Sequence, residues 1–321
     1  ADEVVSQVKQ SLNDSLIVGA YKFGSLLSRI VPNAATGVVS SAISWPAFWS
    51  SSDKRMMVER HMRRVSPQAN QAEIRKMARD VFQSYAHYYL ESFRLPSRTA
   101  DKVAATTSID GYTENLLPAL DKGNGAIFAL PHLGGWEWMG RWAVDTGIKM
   151  TVGVEAIQPP ALFEWFADLR RKFGMTVIPL GPSAGTQVLR ALRDNEVVCL
   201  LSDRDLTGGG IPVEFFGETT TLPAGPATLA LRTGAALLPT AAFFTDRNLG
   251  HHGIIGAPME CERQGRLRPD VSRITQNLAH ELEALIRKAP SQWHLLQPNW
   301  PSDPGYPHQI GNETNAADDE A

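Results

Sequence analysis

The chain is poor in cysteine. It has two in 321 residues, Cys199 and Cys261, with no CxxC pair and no Cys/His cluster. That argues against a structural zinc site or a disulfide framework and suits reduced thiols in the cytosol. Cys199 falls inside the apolar run Val197 to Leu201 and reads as a small core residue rather than a nucleophile. Charge of one sign is also lacking. Thirty-one Lys and Arg face 34 Asp and Glu, a formal net charge of −3, so no basic field points to nucleic acid as a partner. A convincing membrane-crossing run is missing too. Residues 30 to 52 carry no charge, but Pro32, Asn33, Gly37, Pro46 and six serines make the stretch too polar and too broken for a spanning helix. The N-terminus shows no basic segment followed by an apolar core and a cleavage site, so no secretory signal is expected. No internal repeat of useful length is present.

What the chain does have is enough apolar material, 43% of residues, to bury a full core without staples. The first hundred residues read as helical. Val4, Val8, Leu12, Leu16 and Ile17 keep helical spacing, and Pro32 and Pro46 cut the next region into short pieces. Residues 72 to 93 form a long helix candidate with Ile74, Met77, Val81, Tyr85, Tyr88 and Tyr89 on one side, ended by Leu95-Pro96-Ser97. Trp45, Phe48 and Trp49 lie close together in the uncharged stretch. They fit either rings packed into the core or an interfacial segment lying on lipid.

From about Leu116 strands and helices alternate. Strands are predicted at 126–130, 150–154, 175–180, 197–201, 213–216 and 235–244. Helices are predicted at 136–144, 160–173, 186–193 and 225–233, with a last amphipathic helix carrying Val271, Ile274, Leu278, Leu282, Leu285 and Ile286. Apolar strands that do not alternate imply a sheet covered on both faces. The expected fold is α/β, a mainly parallel central sheet flanked by helices, with a helical N-terminal region. The expected organisation is a membrane-facing helical region at 1–100, an α/β core at 101–300 and a loose tail at 301–321, all within one structural domain.

The most informative stretch is Leu130-Pro131-His132-Leu133-Gly134-Gly135-Trp136-Glu137. A buried strand ends, a histidine stands at its carboxyl end, two glycines follow and a helix begins with an acid. Ligands of open α/β sheets bind outside the carboxyl ends of the strands. An imidazole there can take a proton from a hydroxyl at neutral pH. Glu137 is placed to fix its tautomer, and the Gly134 and Gly135 backbone to admit a substrate or donate to an oxyanion. The same residues also fit a core histidine at a tight turn, with Glu137 as a first-turn acid favoured by the helix dipole.

The segment resembles the His-x4-Asp/Glu motif of the bacterial lysophospholipid acyltransferase superfamily. Within it, the chain is similar to the branch of lipid A late acyltransferases and actinobacterial phosphatidylinositol mannoside acyltransferases. The likeness continues through Val154-Glu155-Ala156, residues 163–170, Phe173-Gly174, Leu200 to Asp205, Phe215-Phe216-Gly217, Leu222 to Pro226 and Trp293 to Pro298. It covers roughly residues 70 to 300 with the blocks in order. Two positions depart from the nearest pattern. Glu137 stands where Asp is usual and Asp203 where Glu is usual, which keeps the charge and changes the reach.

The resemblance implies an acyltransferase with His132 and Glu137 as its catalytic pair. It implies direct transfer from acyl-CoA, palmitoyl-CoA first among them, to a sugar hydroxyl of a glycolipid, most simply a mannose of a phosphatidylinositol mannoside. No permanently bound cofactor and no metal are expected. A peripheral position on the cytoplasmic face of the cell membrane is expected. Arg170 becomes a candidate for charge stabilisation or phosphate contact, although beside Arg171 and Lys172 it also fits a solvated helix face. Glu155 ends a predicted strand on the same rim as His132 and fits an acceptor contact or a helix cap. Asp203 and Arg204, with Asp205, follow another buried strand and either face the site or pair among themselves. Gly208-Gly209-Gly210 lacks the Lys-Ser/Thr of a phosphate loop. His294 is assigned a structural role, and His251-His252 is expected to be exposed. The alternatives are another glycolipid or lysophospholipid acceptor, or a lipid-binding protein without catalysis. The intact His132 and Glu137 speak against the latter.

Overall fold

The computed structural model describes residues 35–307 apart from 156–159, 182 and 246–249, together with residues 19, 24, 25, 28 and 31. The periodic segment Val4 to Ile17 and the tail beyond residue 307 lie outside the described residues. In chain order the helices are α1 (Thr36–Ser50), α2 (Ser52–Val65), α3 (Gln71–Arg94), α4 (Ala100–Ala105), α5 (Leu117–Asp121), α6 (Trp136–Asp145), α7 (Pro160–Lys172), α8 (Ala184–Arg193), α9 (Gly225–Thr233) and α10 (Leu267–Lys288). The strands are β1 (Thr107–Asp110), β2 (Ala126–Leu130), β3 (Met150–Val154), β4 (Thr176–Pro179), β5 (Val197–Leu201), β6 (Ile211–Phe215), β7 (Glu218–Leu222), β8 (Ala236–Phe244) and β9 (His251–Ile255).

Seven strands make one sheet in the order β1-β9-β8-β2-β5-β3-β4, and β6 and β7 form a separate hairpin. Within the large sheet β8 and β9 run antiparallel and every other neighbouring pair is parallel. The α/β expectation holds. The pleat of β2 explains the layering. Ile127 and Ala129 belong to one buried cluster, which includes Ile74, Val81, Leu192, Ala227 and Leu278 from the helices. Ala126 and Phe128 belong to another, with Leu116, Ala143, Met150 and Met175. Alternate side chains therefore feed two cores, one on each face of the sheet.

The N-terminal helices are built by local chemistry and burial together. Asn70 caps α3, accepting from the Ala72 and Glu73 amides at 2.9 and 3.1 Å, while the Glu73 carboxylate takes the Asn70 amide at 2.7 Å. Such a reciprocal cap contributes about 1 kcal/mol. Pro46 does not break the chain as expected, because it lies inside the continuous helix α1. A Pro in a helix interior costs about 3 kcal/mol. Here the helix is kept by packing, with Phe48 fully buried and set edge-on to Phe82 at 5.4 Å. The aromatic trio is thus split. Phe48 is core and cannot touch lipid, whereas Trp45 and Trp49 are 63% and 49% exposed.

Three strands were not anticipated. β1 is a short edge strand of mixed burial, β7 is built on the polar run Thr219 to Thr221, and β9 opens on two histidines. The expectation for His251 is corrected, because its place in a strand within the sheet leaves it 2% exposed. The beginning of the supposed tail is also tied down. Buried Asp303 accepts from Arg60, Arg64 and the Asn299 and Trp300 amides. Arg64 then lies over the Trp300 ring, 4.1 Å from its centroid.

Candidate active site

Strands β2 and β5 are parallel neighbours, with Leu130 paired to Leu201. Two residues past each of these positions come His132 and Asp203, so the register sets them level on the carboxyl rim of the sheet. Asp203 Oδ1 lies 2.7 Å from His132 Nδ1, and Oδ2 accepts the His132 amide at 3.0 Å and the Trp293 indole N–H at 2.7 Å. The Asp203 carbonyl takes the Asn299 side-chain amide at 3.0 Å. Full burial alone would raise the carboxyl pKa of Asp203, but the adjacent imidazole and these donors outweigh it and hold the carboxylate below its usual range. A carboxylate accepting from Nδ1 leaves Nε2 as the basic nitrogen. His132 Nε2 has no hydrogen-bond partner among the described residues, and the ring lines a cavity.

The turn carrying His132 is held by a third segment. Leu133 bridges Trp293, the His294 amide donates to the His132 carbonyl at 2.7 Å, and the Gly134 amide donates to the Gln292 carbonyl at 3.0 Å. Gly134 adopts a φ of +60°, and a Cβ there would meet the Ala242 carbonyl oxygen at 2.1 Å. The glycine is thus required by a close approach to β8, not by a substrate. Its N–H is occupied, which corrects the expectation that it serves an oxyanion. The Gly135 amide has no such partner among the described residues.

Glu137 does not hold His132. The expected pair is replaced by a buried network on the neighbouring helices. Arg170 Nε donates to Glu137 Oε2 at 3.2 Å, Arg170 Nη2 donates to Oε1, and the Tyr88 hydroxyl donates to Oε1 at 3.2 Å. The cause is geometric. Glu137 sits in the first turn of α6, where the guanidinium from α7 and the phenol from α3 reach it, while Asp203 already occupies His132 Nδ1. Burial opposes the charge on Arg170, but Glu137 and Tyr88 beside it raise its pKa above the usual arginine value. Burial and the Glu137 charge push the Tyr88 hydroxyl well up, so it stays protonated and donating. Arg170 Nη1 is buried without a hydrogen-bond partner among the described residues.

The cavity has a volume of about 300 Å³. His132, Trp136, Glu137, Glu155, Arg170 and Arg204 contribute to its wall. Farther along, Phe128, Leu130, Met150, Val152 and Met175 make the wall apolar. The structure therefore brings together five sequence-selected residues, His132, Glu155, Arg170, Asp203 and Arg204, with Glu137 serving Arg170. Trp136 stands edge-on to His132 at 5.8 Å and stacks on Tyr88 at 4.1 Å. Tyr88 and Trp293 were not singled out as site residues, although both occupy blocks that were noticed. Cys199 also borders the cavity, with its thiol pushed up to about 12 by burial, which leaves it protonated and inert. His294, buried and bonded to the Ser84 hydroxyl at 2.8 Å, has its pKa lowered to about 3 by burial and by His132 and His87 nearby. It is neutral, and it too borders the cavity. Asp205 does not face the cavity. It accepts from the Thr207, Gly208 and Gly210 amides and the Thr221 hydroxyl, so the glycine run wraps an internal carboxylate.

Residues 9–302 match the sequence pattern of the family described as bacterial lipid A biosynthesis acyltransferase. The chain is 41% identical over 225 residues to a phosphatidylinositol mannoside acyltransferase of Mycobacterium tuberculosis (strain CDC 1551 / Oshkosh), covering 69% of each chain. It is 36% identical over 289 residues to the phosphatidylinositol mannoside acyltransferase of Mycolicibacterium smegmatis, covering 88% of this chain and 91% of that one.

Proposed function

The chain belongs to the bacterial lipid A biosynthesis acyltransferase family and is an acyltransferase, and from that premise we propose that it moves a fatty acyl group from acyl-CoA to a sugar hydroxyl of a phosphatidylinositol mannoside. One observation carries the reading. His132 has Nδ1 held by a buried carboxylate and Nε2 unbonded on the wall of an apolar cavity.

The chemistry runs in two steps. The acceptor oxygen attacks the thioester carbonyl carbon while His132 Nε2 takes the hydroxyl proton. The carbonyl oxygen becomes an oxyanion, and Asp203 stabilises the imidazolium across Nδ1. The intermediate then collapses, the C–S bond breaks, and the leaving thiolate takes the proton back from Nε2. For the oxyanion we propose the Arg170 guanidinium, whose residue lines the cavity, and the Gly135 amide at the head of α6. Glu137 and Tyr88 set the guanidinium plane for that task. Phe128, Met150, Val152 and Met175 suit the acyl chain, and Glu155 and Arg204 at the rim suit the hydroxyl-rich acceptor.

No helix among the described residues is long and apolar enough to cross a membrane. For work at the cytoplasmic membrane face the proposal is surface contact, for which exposed Trp45 and Trp49, with Val38 and Ile43, are suited. CoA release from palmitoyl-CoA, with and without mannoside acceptor, tests the reading. The wild type is expected to release CoA in step with acceptor acylation and His132→Ala to lose both. Equal rates in the two proteins would remove the general base. Vesicle binding unchanged in a folded Trp45→Ser/Trp49→Ser variant would place the membrane contact elsewhere.

A further inference from the structure

The histidine and its carboxylate come from different strands, yet one stretch of chain beyond α10 clamps both. The Gln292 carbonyl takes the Gly134 amide, the His294 amide donates to the His132 carbonyl, and the Asn299 side chain donates to the Asp203 carbonyl. Trp293 lies inside that stretch, and its main chain bridges Leu133. The bridge fixes where the indole starts, and packing fixes where it ends. The ring is 1% exposed. It stands edge-on to Phe215 at 6.2 Å and Trp300 at 6.4 Å, and tilts against Phe216 at 5.6 Å and His61 at 5.7 Å. An indole has one polar atom, the Nε1 donor. In Trp293 it donates to Asp203 Oδ2 at 2.7 Å.

That bond has two consequences. Oδ2 accepts the indole and the His132 amide, so Oδ1 is left to the imidazole. The indole also draws on the charge of the carboxylate that holds the imidazolium. A hydrogen bond to an ionised group at this length is strong, and more so in a buried site. A buried carboxylate that shared its charge with nothing else would grip a protonated imidazole and keep it from serving as a base. We propose that Trp293 is a positioning residue that acts on His132 through Asp203. It turns Oδ1 to Nδ1 and shares the carboxylate charge, which leaves the imidazole free to take a proton and to return it. Trp293 does not line the cavity, so its reach to the reaction runs through Asp203. The inference rests on the acyl-transfer reading of this site.

The test is the pH profile of kcat/KM for acyl transfer in the wild type, Trp293→Phe and a control, Trp300→Phe. Trp300 belongs to the same aromatic cluster and is fully buried, but its indole donates to the Phe215 carbonyl at 3.1 Å and not to Asp203. Relieved of a donor, Asp203 pulls harder on the imidazolium proton. The acid limb of Trp293→Phe is therefore expected to move up by about one pH unit, a loss of roughly tenfold on that limb with the plateau kept. Glu137, Glu155, Arg170, Arg204, Tyr88 and His294 also line the cavity that His132 faces, and all of them stay in place in both variants. A limb that moves in Trp293→Phe and not in Trp300→Phe supports the assignment. An unmoved limb, or the same move in Trp300→Phe, overturns it. If Trp293→Phe does not fold, benzothienylalanine at position 293 decides, because it keeps the ring shape and carries sulfur in place of the N–H. If the wild type transfers no acyl group, the proposed function fails and the far-downfield proton signal of His132 Nδ1–H decides without substrate. A signal that moves in Trp293→Phe and holds in Trp300→Phe supports the inference, and a signal unchanged in both overturns it.

Discussion

His132 meets Asp203 at 2.7 Å and His251 meets Glu91 at 2.8 Å, yet the two pairs do different things. The first uses Nδ1 and leaves Nε2 on a cavity wall, with the side chain 27% exposed. The second spends Nε2 on its carboxylate, buries Nδ1 and stacks the ring between Trp138 and the Gly135 backbone. A carboxylate partner alone therefore does not make a histidine a base. The free ring nitrogen and the space in front of it do.

The largest expected effect comes from breaking the first pair. His132→Ala and Asp203→Asn should each lower kcat for acyl transfer by roughly 10²–10⁴, with folding intact by circular dichroism. Glu137→Gln should act on stability first, because it leaves buried Arg170 without its counter-charge. A loss of about 3–5 kcal/mol in urea unfolding is expected, along with a smaller loss of rate. Breaking the second pair with His251→Phe should cost about 1–3 kcal/mol, since Glu91 loses its partner. A loss of rate as deep as that of His132→Ala would erase the distinction between the pairs.

The smallest effect is a pH slope. Burial lowers the pKa of His61 to about 4 and of His294 to about 3. Below the ordinary value of 6.5 the unfolded chain binds protons that the folded chain refuses, so stability falls as pH drops from 6.5 towards 4. Each group contributes about 1.4 kcal/mol per pH unit in that window. His61→Asn should flatten the slope of melting temperature against pH, and an unchanged slope would mean that His61 is solvated.

The apolar strands were legible because burial on both faces leaves a continuous hydrophobic run, as in Ala126–Leu130 and Val197–Leu201. The polar strands β7 and β9 were not legible, since Thr219 to Thr221 and His251-His252 carry no such signal. His132 was legible from its place after β2. Its true partner was not, although Asp203 follows β5 at the same two-residue distance. Sequence order puts β3 and β4 between those strands, and only the sheet order makes them neighbours. Glu137, five residues from His132, was the nearer acid along the chain and the wrong one in space. Pro46 misled for a related reason, because packing around Phe48 outweighs the lost helical bond.

Single-turnover acylation of the mannoside acceptor by Asp203→Asn and Glu137→Gln, measured side by side where both remain folded, tests the central claim most directly. Fixation of His132 by Asp203 predicts that Asp203→Asn loses roughly 10²–10⁴ in rate while Glu137→Gln loses far less. A near wild-type rate for Asp203→Asn beside a silent Glu137→Gln would contradict it and return the histidine to Glu137.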